Sequence, residues 1–438
     1  MNQGKLISPV LATAIVVSNM IGTGVYTSLG LQAAGVHSVL ALVFIWITGG
    51  LVAFCGALTY GELAVRYPKS GGEYIFLSKI FHPSLGFMSG FISMTIGFAA
   101  PMAISAIALG TYAGNLIPVA PVIIAVVVIV SLTVLNTSSF RTGTNFNFIT
   151  AAINVSLILT LCIIGFVKGH HPDFQLTFRQ SDVKEIINPA FAVSLVYVSF
   201  AYSGWNSAAY ITHQVKDPVR NLPLILISGT LIVLFLYTLL NFIFLYTVPM
   251  QELEGQIDIA FLAAKNIFGP SGGKFVALII SIGLIASINS LLIIGPRVTQ
   301  AIAEDYKLLR FLGTENKSGS PFFATIFLTT VALLLIGTST FEQIMTLIGF
   351  TLSIFTILSV TGVFVIRYRM RKNNEELYHT FGYPFIPVFF ILVEGCMMLY
   401  VFANRPVQSL IGIGITLIGS VVYFMLLRAG KNDAKQNQ

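Results

Sequence analysis

The sequence predicts an all-α polytopic membrane protein with about twelve transmembrane helices. Only 9% of the 438 residues are charged and 55% are hydrophobic, whereas soluble domains carry roughly 25% charged residues. The mean hydropathy of +0.86 is too high for a water-soluble core. A helix that crosses the bilayer needs about 20 consecutive apolar residues, and many such runs are present. Strands of a membrane barrel would be about ten residues long with alternating polarity, so helices are favoured.

The apolar runs define the predicted spans, which are numbered here from the N-terminus. They cover residues 8–35, 38–65, 83–115, 121–138, 144–167, 188–213, 222–248, 273–304, 321–337, 341–368, 384–403 and 408–428. Short polar segments separate them, and no large water-soluble insert interrupts the series. The whole chain is therefore predicted to be one membrane-embedded unit.

The distribution of Lys and Arg predicts the orientation. An even number of spans places both termini on one side, and eighteen of the 24 Lys and Arg residues then fall on that side. The other side receives six: Lys168, Arg179, Lys184, Lys265, Lys274 and Arg405. Positive residues concentrate in cytoplasmic loops, so both termini are predicted to be cytoplasmic. The net charge of +7 is then a feature of topology and does not indicate nucleic-acid binding. The short loops favour a prokaryotic inner membrane.

The cysteines and histidines indicate neither a cofactor site nor an enzyme. Cys55, Cys162 and Cys396 all lie in apolar runs, and no disulfide framework or metal-ligand spacing is present. A membrane-embedded enzyme would need paired His, Asp or Cys residues near one face of the bilayer, and the sequence contains no such constellation. We therefore expect a protein without catalytic residues, metal or cofactor.

Two spans contain glycine and polar residues at membrane depth. The first span includes residues 18–26 (SNMIGTGVY), and the sixth includes residues 200–206 (FAYSGWN). Unwound backbone is tolerated in a bilayer only where protein buries it or it lines a cavity. Paired interruptions at corresponding places in two halves point to a transporter with a binding site at the midplane. The alternative is that Gly22 and Gly24 form a close-packing helix face.

Three stretches resemble the amino acid–polyamine–organocation (APC) superfamily. Residues 19–26 are similar to its motif I-I-G-S/T-G-I-F. Residues 60–63 (YGEL) and 68–74 (PKSGGEY) are similar to Y-x-E-L and P-x-S-G-G-x-Y. Residues 200–223 are similar to F-A-Y-x-G-W-N followed by V-K-N/D-P-x-R-N-I/L-P, as in L-type amino acid transporters and related bacterial permeases. The chain is thus identified as a member of this superfamily.

The resemblance implies a LeuT-type fold with two inverted repeats of five helices. The first repeat would comprise residues 1–167 and the second residues 168–370. Residues 371–438 would form two peripheral helices and a cytoplasmic tail. The resemblance also implies alternating access around a site between the broken first and sixth helices.

The resemblance assigns the substrate site to the two interruptions. The residues concerned are Met20, Ile21, Gly22, Thr23, Gly24, Phe200, Ala201, Ser203 and Asn206. The backbone N–H groups of Thr23 and Gly24 would hold a carboxylate. The carbonyls of Met20, Phe200 and Ser203 would hold an ammonium group, and the ring of Phe200 would close over the substrate. Asn206 would be a polar neighbour of the site.

Ion coupling is left open by the sequence. Some relatives carry a lysine midway along helix five, but no Lys or Arg lies between Arg141 and Lys168. Asn154 lies in that region of the fifth span. Its side chain either hydrogen-bonds the first helix in a coupling role or simply joins two helices by a polar contact. A Na⁺ site would need oxygens from the first interruption together with Ser287 and Ser290 of the eighth span, although such serines usually bond their own backbone. Exchange without an ion is the remaining alternative.

Three charged residues within spans are candidates for a functional role. Glu62 and Arg297 lie near the cytoplasmic ends of the second and eighth spans. Either they are part of an internal gate, or they are simply hydrated side chains at the membrane interface. Glu394 lies within the eleventh span, where a carboxyl group is either protonated or part of a dimer contact.

The sequence thus predicts a secondary amino acid transporter for neutral L-amino acids, working by exchange or ion-coupled uptake. Neutral substrates are favoured because no acid or base occurs at either interruption. A cationic amino acid or polyamine carrier is one alternative, and a transport-inactive sensor or partner subunit is another. The expected partners are the amino acid and the lipid bilayer. Whether the protein is a monomer or a homodimer is left open.

Overall fold

The computed structural model describes residues 8–69, 71–138, 143–169, 178–210, 212, 215–316, 319–370 and 378–436. These residues form α-helices joined by short turns, with a π-helical segment at Ser93–Gly97 and 3₁₀ segments at Ser207–Tyr210 and Lys307–Gly313. The helices are α1 (Pro9–Met20), α2 (Thr23–Ala33), α3 (Val39–Arg66), α4 (Glu73–Ile80), α5 (Pro83–Ile92), α6 (Ala99–Gly114), α7 (Pro121–Ser138), α8 (Gly143–Lys168), α9 (Gln180–Ile187), α10 (Pro189–Tyr202), α11 (Pro218–Thr247), α12 (Met250–Leu253), α13 (Ile259–Glu304), α14 (Phe322–Thr338), α15 (Phe341–Met370), α16 (Phe385–Asn404) and α17 (Pro406–Gln436).

The predicted all-α polytopic membrane fold is confirmed. Eight helical segments are long and apolar enough to cross a bilayer, and a ninth is added if α9 and α10, which meet at 67°, count as one bent span. Three shorter apolar helices, Pro121–Thr137, Ala152–Lys168 and Phe322–Thr338, lie at the fourth, fifth and ninth predicted spans. The total of twelve therefore stays a prediction.

Several helices differ in extent from their predicted spans. The third span consists of three segments, because the π-helical turn separates α5 from α6. The eighth begins earlier than predicted, because a bend at Gly269 (φ 79°) joins an additional N-terminal segment to the long helix α13. Such a bend is invisible to hydropathy, since both arms are apolar.

The burial pattern places α2 at the centre of the molecule. Nearly every residue of α2 is buried, and the helix packs against α6, α10 and α13. Helices α16 and α17 instead expose many large apolar side chains, such as Leu399, Leu417 and Met425. In a bilayer these side chains face lipid, as expected of peripheral helices.

The predicted division into repeats at residues 167/168 and 370/371 stays a prediction. The second boundary borders residues 371–377, which lie outside the described part of the chain. The predicted two-part first span and interrupted sixth span are, however, directly visible as separate helices.

Candidate functional site

The first span is interrupted at Ile21 and Gly22. Helix α1 ends at Met20, both following residues are extended (Gly22 φ −140°, ψ −153°), and α2 begins at Thr23. No side chain caps the N-terminus of α2. The first N–H groups of a helix lack intrahelical acceptors and carry a partial positive charge. A carboxylate is the natural ligand for such a terminus.

The sixth span is interrupted just after α10. The chain leaves the helix at Ser203 (ψ 149°) and turns at Gly204, whose φ is 96°. Only glycine adopts this conformation readily. A Cβ atom at Gly204 would also lie 2.8 Å from the carbonyl oxygen of Asn19 in α1. Gly204 therefore permits both the turn and the close approach of the two interrupted spans.

The two interruptions touch each other a second time, through Gly24 and Ala201. A Cβ atom at Gly24 would lie 2.5 Å from the Cα atom of Ala201. At Gly22, by contrast, a Cβ atom would meet only the Met20 carbonyl oxygen, at 4.0 Å. Gly24 is thus a packing contact, whereas Gly22 borders open space. The close packing weighed for this pair is present at Gly24, and the role of Gly22 in substrate binding stays a prediction.

Some of the predicted ligand atoms already have partners. The Met20 carbonyl accepts a hydrogen bond from Tyr237 Oη (2.5 Å), and the Phe200 carbonyl accepts one from the Ser203 N–H (2.9 Å). The Thr23 hydroxyl bonds Ser105 Oγ of α6 (2.7 Å). Each carbonyl oxygen keeps a second lone pair, so an ammonium group can still bind. The nine assigned substrate residues stay predictions.

Asn206 faces a buried carboxylate that the sequence did not single out. Its Nδ2 atom donates to Glu73 Oε1 (2.7 Å) at the start of α4. Tyr60 Oη of α3 donates to the same oxygen (2.8 Å), and Tyr210 Oη donates to the other. This Glu73 cluster joins α3, α4 and the segment after α10. Tyr60 and Glu73 stand in the quoted motifs, but their spacing does not reveal that they meet Asn206.

Glu62 is part of a buried ion pair with a partner other than Arg297. Its carboxylate is 1% exposed and accepts two bonds from Arg367 of α15, from Nε (2.9 Å) and Nη2 (2.7 Å). The N–H and hydroxyl of Thr380 donate to Glu62 Oε2. Arg297 is exposed on α13. The hypothesis of a hydrated Glu62 is wrong, and the helix that Glu62 clamps is α15.

The candidate coupling residues occupy different surroundings. The side chain of Asn154 is buried, accepts a hydrogen bond from Tyr26 Oη of α2 (3.4 Å) and lies against Gly283 of α13. Ser287 and Ser290 are partly buried on α13. Asn154 thus contacts both the first and eighth spans. Ion binding by Asn154 or by the two serines stays a prediction.

The described residues contain no group of three or more His, Cys, Asp or Glu that could hold a metal ion. Cys55 and Cys162 are buried, Cys396 is exposed, and all three are free thiols. The expected absence of cofactors stays a prediction.

Comparisons with known proteins identify the family of this chain. The family model for amino acid permeases matches residues 7–427. The large neutral amino acids transporter small subunit 2 of Oryctolagus cuniculus is 27% identical over 96% of this chain and 80% of its own length. The serine/threonine exchanger SteT of Bacillus subtilis is 26% identical over 96% of both chains, and the Asc-type amino acid transporter 1 of Mus musculus is 26% identical over 96% of this chain and 81% of its own. The chain therefore belongs to the amino acid permease family, whose members are transporters and not enzymes.

Proposed function

We propose that this protein is a secondary transporter that exchanges neutral L-amino acids across a cell membrane by alternating access. The carboxylate of the substrate would bind the N-terminus of α2, and its ammonium group would bind carbonyls at the ends of α1 and α10. The relatives named above, which include large neutral amino acid transporters and a serine/threonine exchanger, support the substrate class.

One observation carries the proposal: the interruptions of the first and sixth spans lie against each other. Gly24 contacts Ala201 and Gly204 contacts Asn19, while Gly22 beside them borders open space. The N-terminal N–H groups of α2 and the C-terminal carbonyls of α1 and α10 are thereby brought to one place. An α-amino acid carries one anionic and one cationic group on adjacent atoms, so it matches this pair of opposite helix ends.

The proposed preference for neutral side chains rests on the absence of charged residues at the two interruptions. Among the residues at the two interruptions, 18–26 and 200–207, none is charged. The nearby Glu73 carboxylate is occupied by three donors, Tyr60, Asn206 and Tyr210. A cationic side chain would have to displace one of them, whereas a neutral one needs no counter-charge. Neutral amino acids are the favoured substrates on this argument.

The proposed location is the inner membrane with both termini in the cytoplasm. The excess of Lys and Arg on the side of the termini supports this orientation. The substrate and the bilayer are the proposed partners, and the oligomeric state is left to experiment.

The test is uptake of radiolabelled L-amino acids into proteoliposomes, either preloaded with unlabelled amino acid or empty. The proposal expects neutral amino acids to enter preloaded vesicles much faster than empty ones. Preferential uptake of arginine, lysine or a polyamine would favour the cationic alternative. No uptake in either preparation, under Na⁺ or proton gradients, would favour a sensor or partner subunit.

A further inference from the structure

Glu394 is a buried carboxyl group in the middle of α16. Its exposed fraction is 5%, although α16 as a whole is peripheral. The side chain points inwards, where Ser199 Oγ of α10 lies 2.9 Å from Oε1 and Ser353 Oγ of α15 lies 2.6 Å from Oε2. Glu394 therefore links three helices. Its side chain faces the protein interior and not the lipid side, where a dimer contact would form.

Within the described part of the chain, no ion pair offsets the charge of this carboxylate. The ion pairs found among the described residues do not include Glu394. Charged side chains on the helices packed against α16 lie near helix ends: Glu342 pairs with Arg405 at one end, and Glu62 pairs with Arg367 at the other. Arg405 is eleven residues from Glu394 in sequence, which is about 16 Å along a helix. An unpaired carboxylate at membrane depth is strongly unfavourable.

Other titratable groups near α16 include two tyrosines of α10 that bond elsewhere and two cysteines with free thiols. Tyr197 of α10 donates to Glu342, and Tyr202 donates to the Trp46 carbonyl. Cys55 is a buried free thiol of α3, and Cys396 is an exposed one of α16. None of these hydrogen bonds reaches Glu394, which is hydrogen-bonded to Ser199 and Ser353.

The two serine hydroxyls suit both protonation states of Glu394. Each hydroxyl is one donor and two acceptor sites. A carboxylate accepts a hydrogen bond from both serines, whereas a carboxylic acid donates to one and accepts from the other. Protonation therefore leaves no hydrogen-bonding group unpaired, and it removes the unfavourable charge.

Ser199 also connects Glu394 to the substrate site. It directly precedes Phe200 in α10, four residues before the interruption at Ser203. Alternating access requires the interrupted helices to shift relative to their neighbours. A shift of α10 away from α15 and α16 breaks the Ser199 hydrogen bond and admits water to the carboxyl group.

Resting on the proposed function, we infer that Glu394 is the proton-binding site that couples amino acid transport to H⁺. The carboxylate takes up one proton from water on one side of the membrane, stays neutral while α10 is packed against α15 and α16, and returns the proton to water on the other side.

The experiment uses the full chain in proteoliposomes with an inward proton gradient of about one pH unit, which at one proton per amino acid sustains up to about tenfold accumulation. Wild-type protein is expected to accumulate a neutral amino acid in empty vesicles under this gradient. In Glu394→Gln, which keeps the size and the serine contacts, the ratio of gradient-driven uptake to exchange should fall to the value measured without a gradient. The matched control is Glu252→Gln, an exposed glutamate of α12, which should retain the wild-type ratio.

The exchange measurement separates this inference from the proposed function. Rapid exchange without any response to the proton gradient in wild-type protein would overturn the inference and leave the function standing. An unchanged ratio in Glu394→Gln would also overturn it. Absence of exchange for every amino acid would overturn both.

A second measurement does not depend on how well the variant transports. Infrared difference spectra of purified wild-type protein, recorded as pH is changed, should show the carbonyl stretch of a buried protonated carboxyl group that Glu394→Gln lacks. If Glu394→Gln does not fold, Glu394→Asp serves instead, and its band should be shifted. An identical band in both proteins would contradict the assignment.

Discussion

Two regions of this molecule hold helices together by different forces. At the C-terminal end of α3, the Glu62 clamp joins a buried carboxylate to the guanidinium of Arg367 and to Thr380. At the junction of the interrupted spans, small residues bring backbone against backbone at Gly24 and Gly204, and the neighbouring Glu73 cluster uses uncharged donors. The charged clamp is costly to open, because the Glu62 carboxylate would be left buried and unpaired. The junction separates at lower cost, which suits helices that move.

The largest expected effect is on the clamp. Arg367→Met leaves the Glu62 carboxylate buried without a cation and should lower the free energy of unfolding by about 3–5 kcal/mol. The measurement is denaturation of the purified protein in detergent, followed by tryptophan fluorescence. Arg405→Met is the matched control, because its pair with Glu342 is 45% and 33% exposed and should contribute about 0–1 kcal/mol. Equal losses of unfolding free energy in the two variants would mean that the Glu62 clamp contributes no more than an exposed ion pair.

A second prediction concerns the junction. Gly24→Ala places a methyl group 2.5 Å from the Ala201 Cα atom and should cost about 1–3 kcal/mol through overpacking, with loss of exchange. Gly22→Ala adds the same methyl group where only the Met20 carbonyl lies near, at 4.0 Å. It should change stability by less than about 0.5 kcal/mol and weaken substrate binding. Unfolding and binding of labelled substrate distinguish the two, and a Gly22→Ala protein with unaltered binding would remove Gly22 from the site.

The Glu73 cluster provides the third test. Glu73→Ala leaves Tyr60, Asn206 and Tyr210 without their shared acceptor and should cost about 1–3 kcal/mol. Because this contact holds the segment after α10, the exchange rate should change more than substrate affinity. Glu304→Ala, an exposed position at the end of α13, is the control for removing a glutamate. A loss of affinity with an unchanged rate would place Glu73 in the substrate site instead.

The smallest effect is expected from Tyr237→Phe. This change removes one hydrogen bond to the Met20 carbonyl (2.5 Å) and should cost about 0.5–1.5 kcal/mol. Substrate affinity, measured by binding of labelled amino acid, should therefore change by at most about tenfold. Tyr400→Phe on the lipid-facing side of α16 should have no effect. A complete loss of binding would show that Tyr237 contacts the substrate itself.

The predictions from sequence succeeded where the cause is local. Hydropathy located the apolar helices, because each must satisfy its backbone within itself in lipid. Gly22 and Gly204 marked the interruptions, because glycine relieves the steric limits on backbone dihedral angles. The bend at Gly269 was missed, since apolar residues continue on both sides of it.

The partners of buried charges were not predictable in this way. Glu62 and Arg367 are 305 residues apart in sequence, and Ser199 and Glu394 are 195 apart. No sequence period connects such positions, and Arg297 was as plausible a partner for Glu62 on position alone. Asn206 was placed near the substrate, yet its amide is bound to Glu73.

The sequence by itself determined that the protein lies in a lipid bilayer, that it is all-helical, where two spans are interrupted, and which family it belongs to. Each depends on composition or on a few adjacent residues whose backbone must satisfy its hydrogen bonds in lipid. The tertiary structure decided which groups meet: the Gly24–Ala201 contact, the Glu62 clamp and the isolation of Glu394 among serines. The energy of a buried charge or a close backbone contact depends on what packs around it, and packing brings together residues that are remote in the chain.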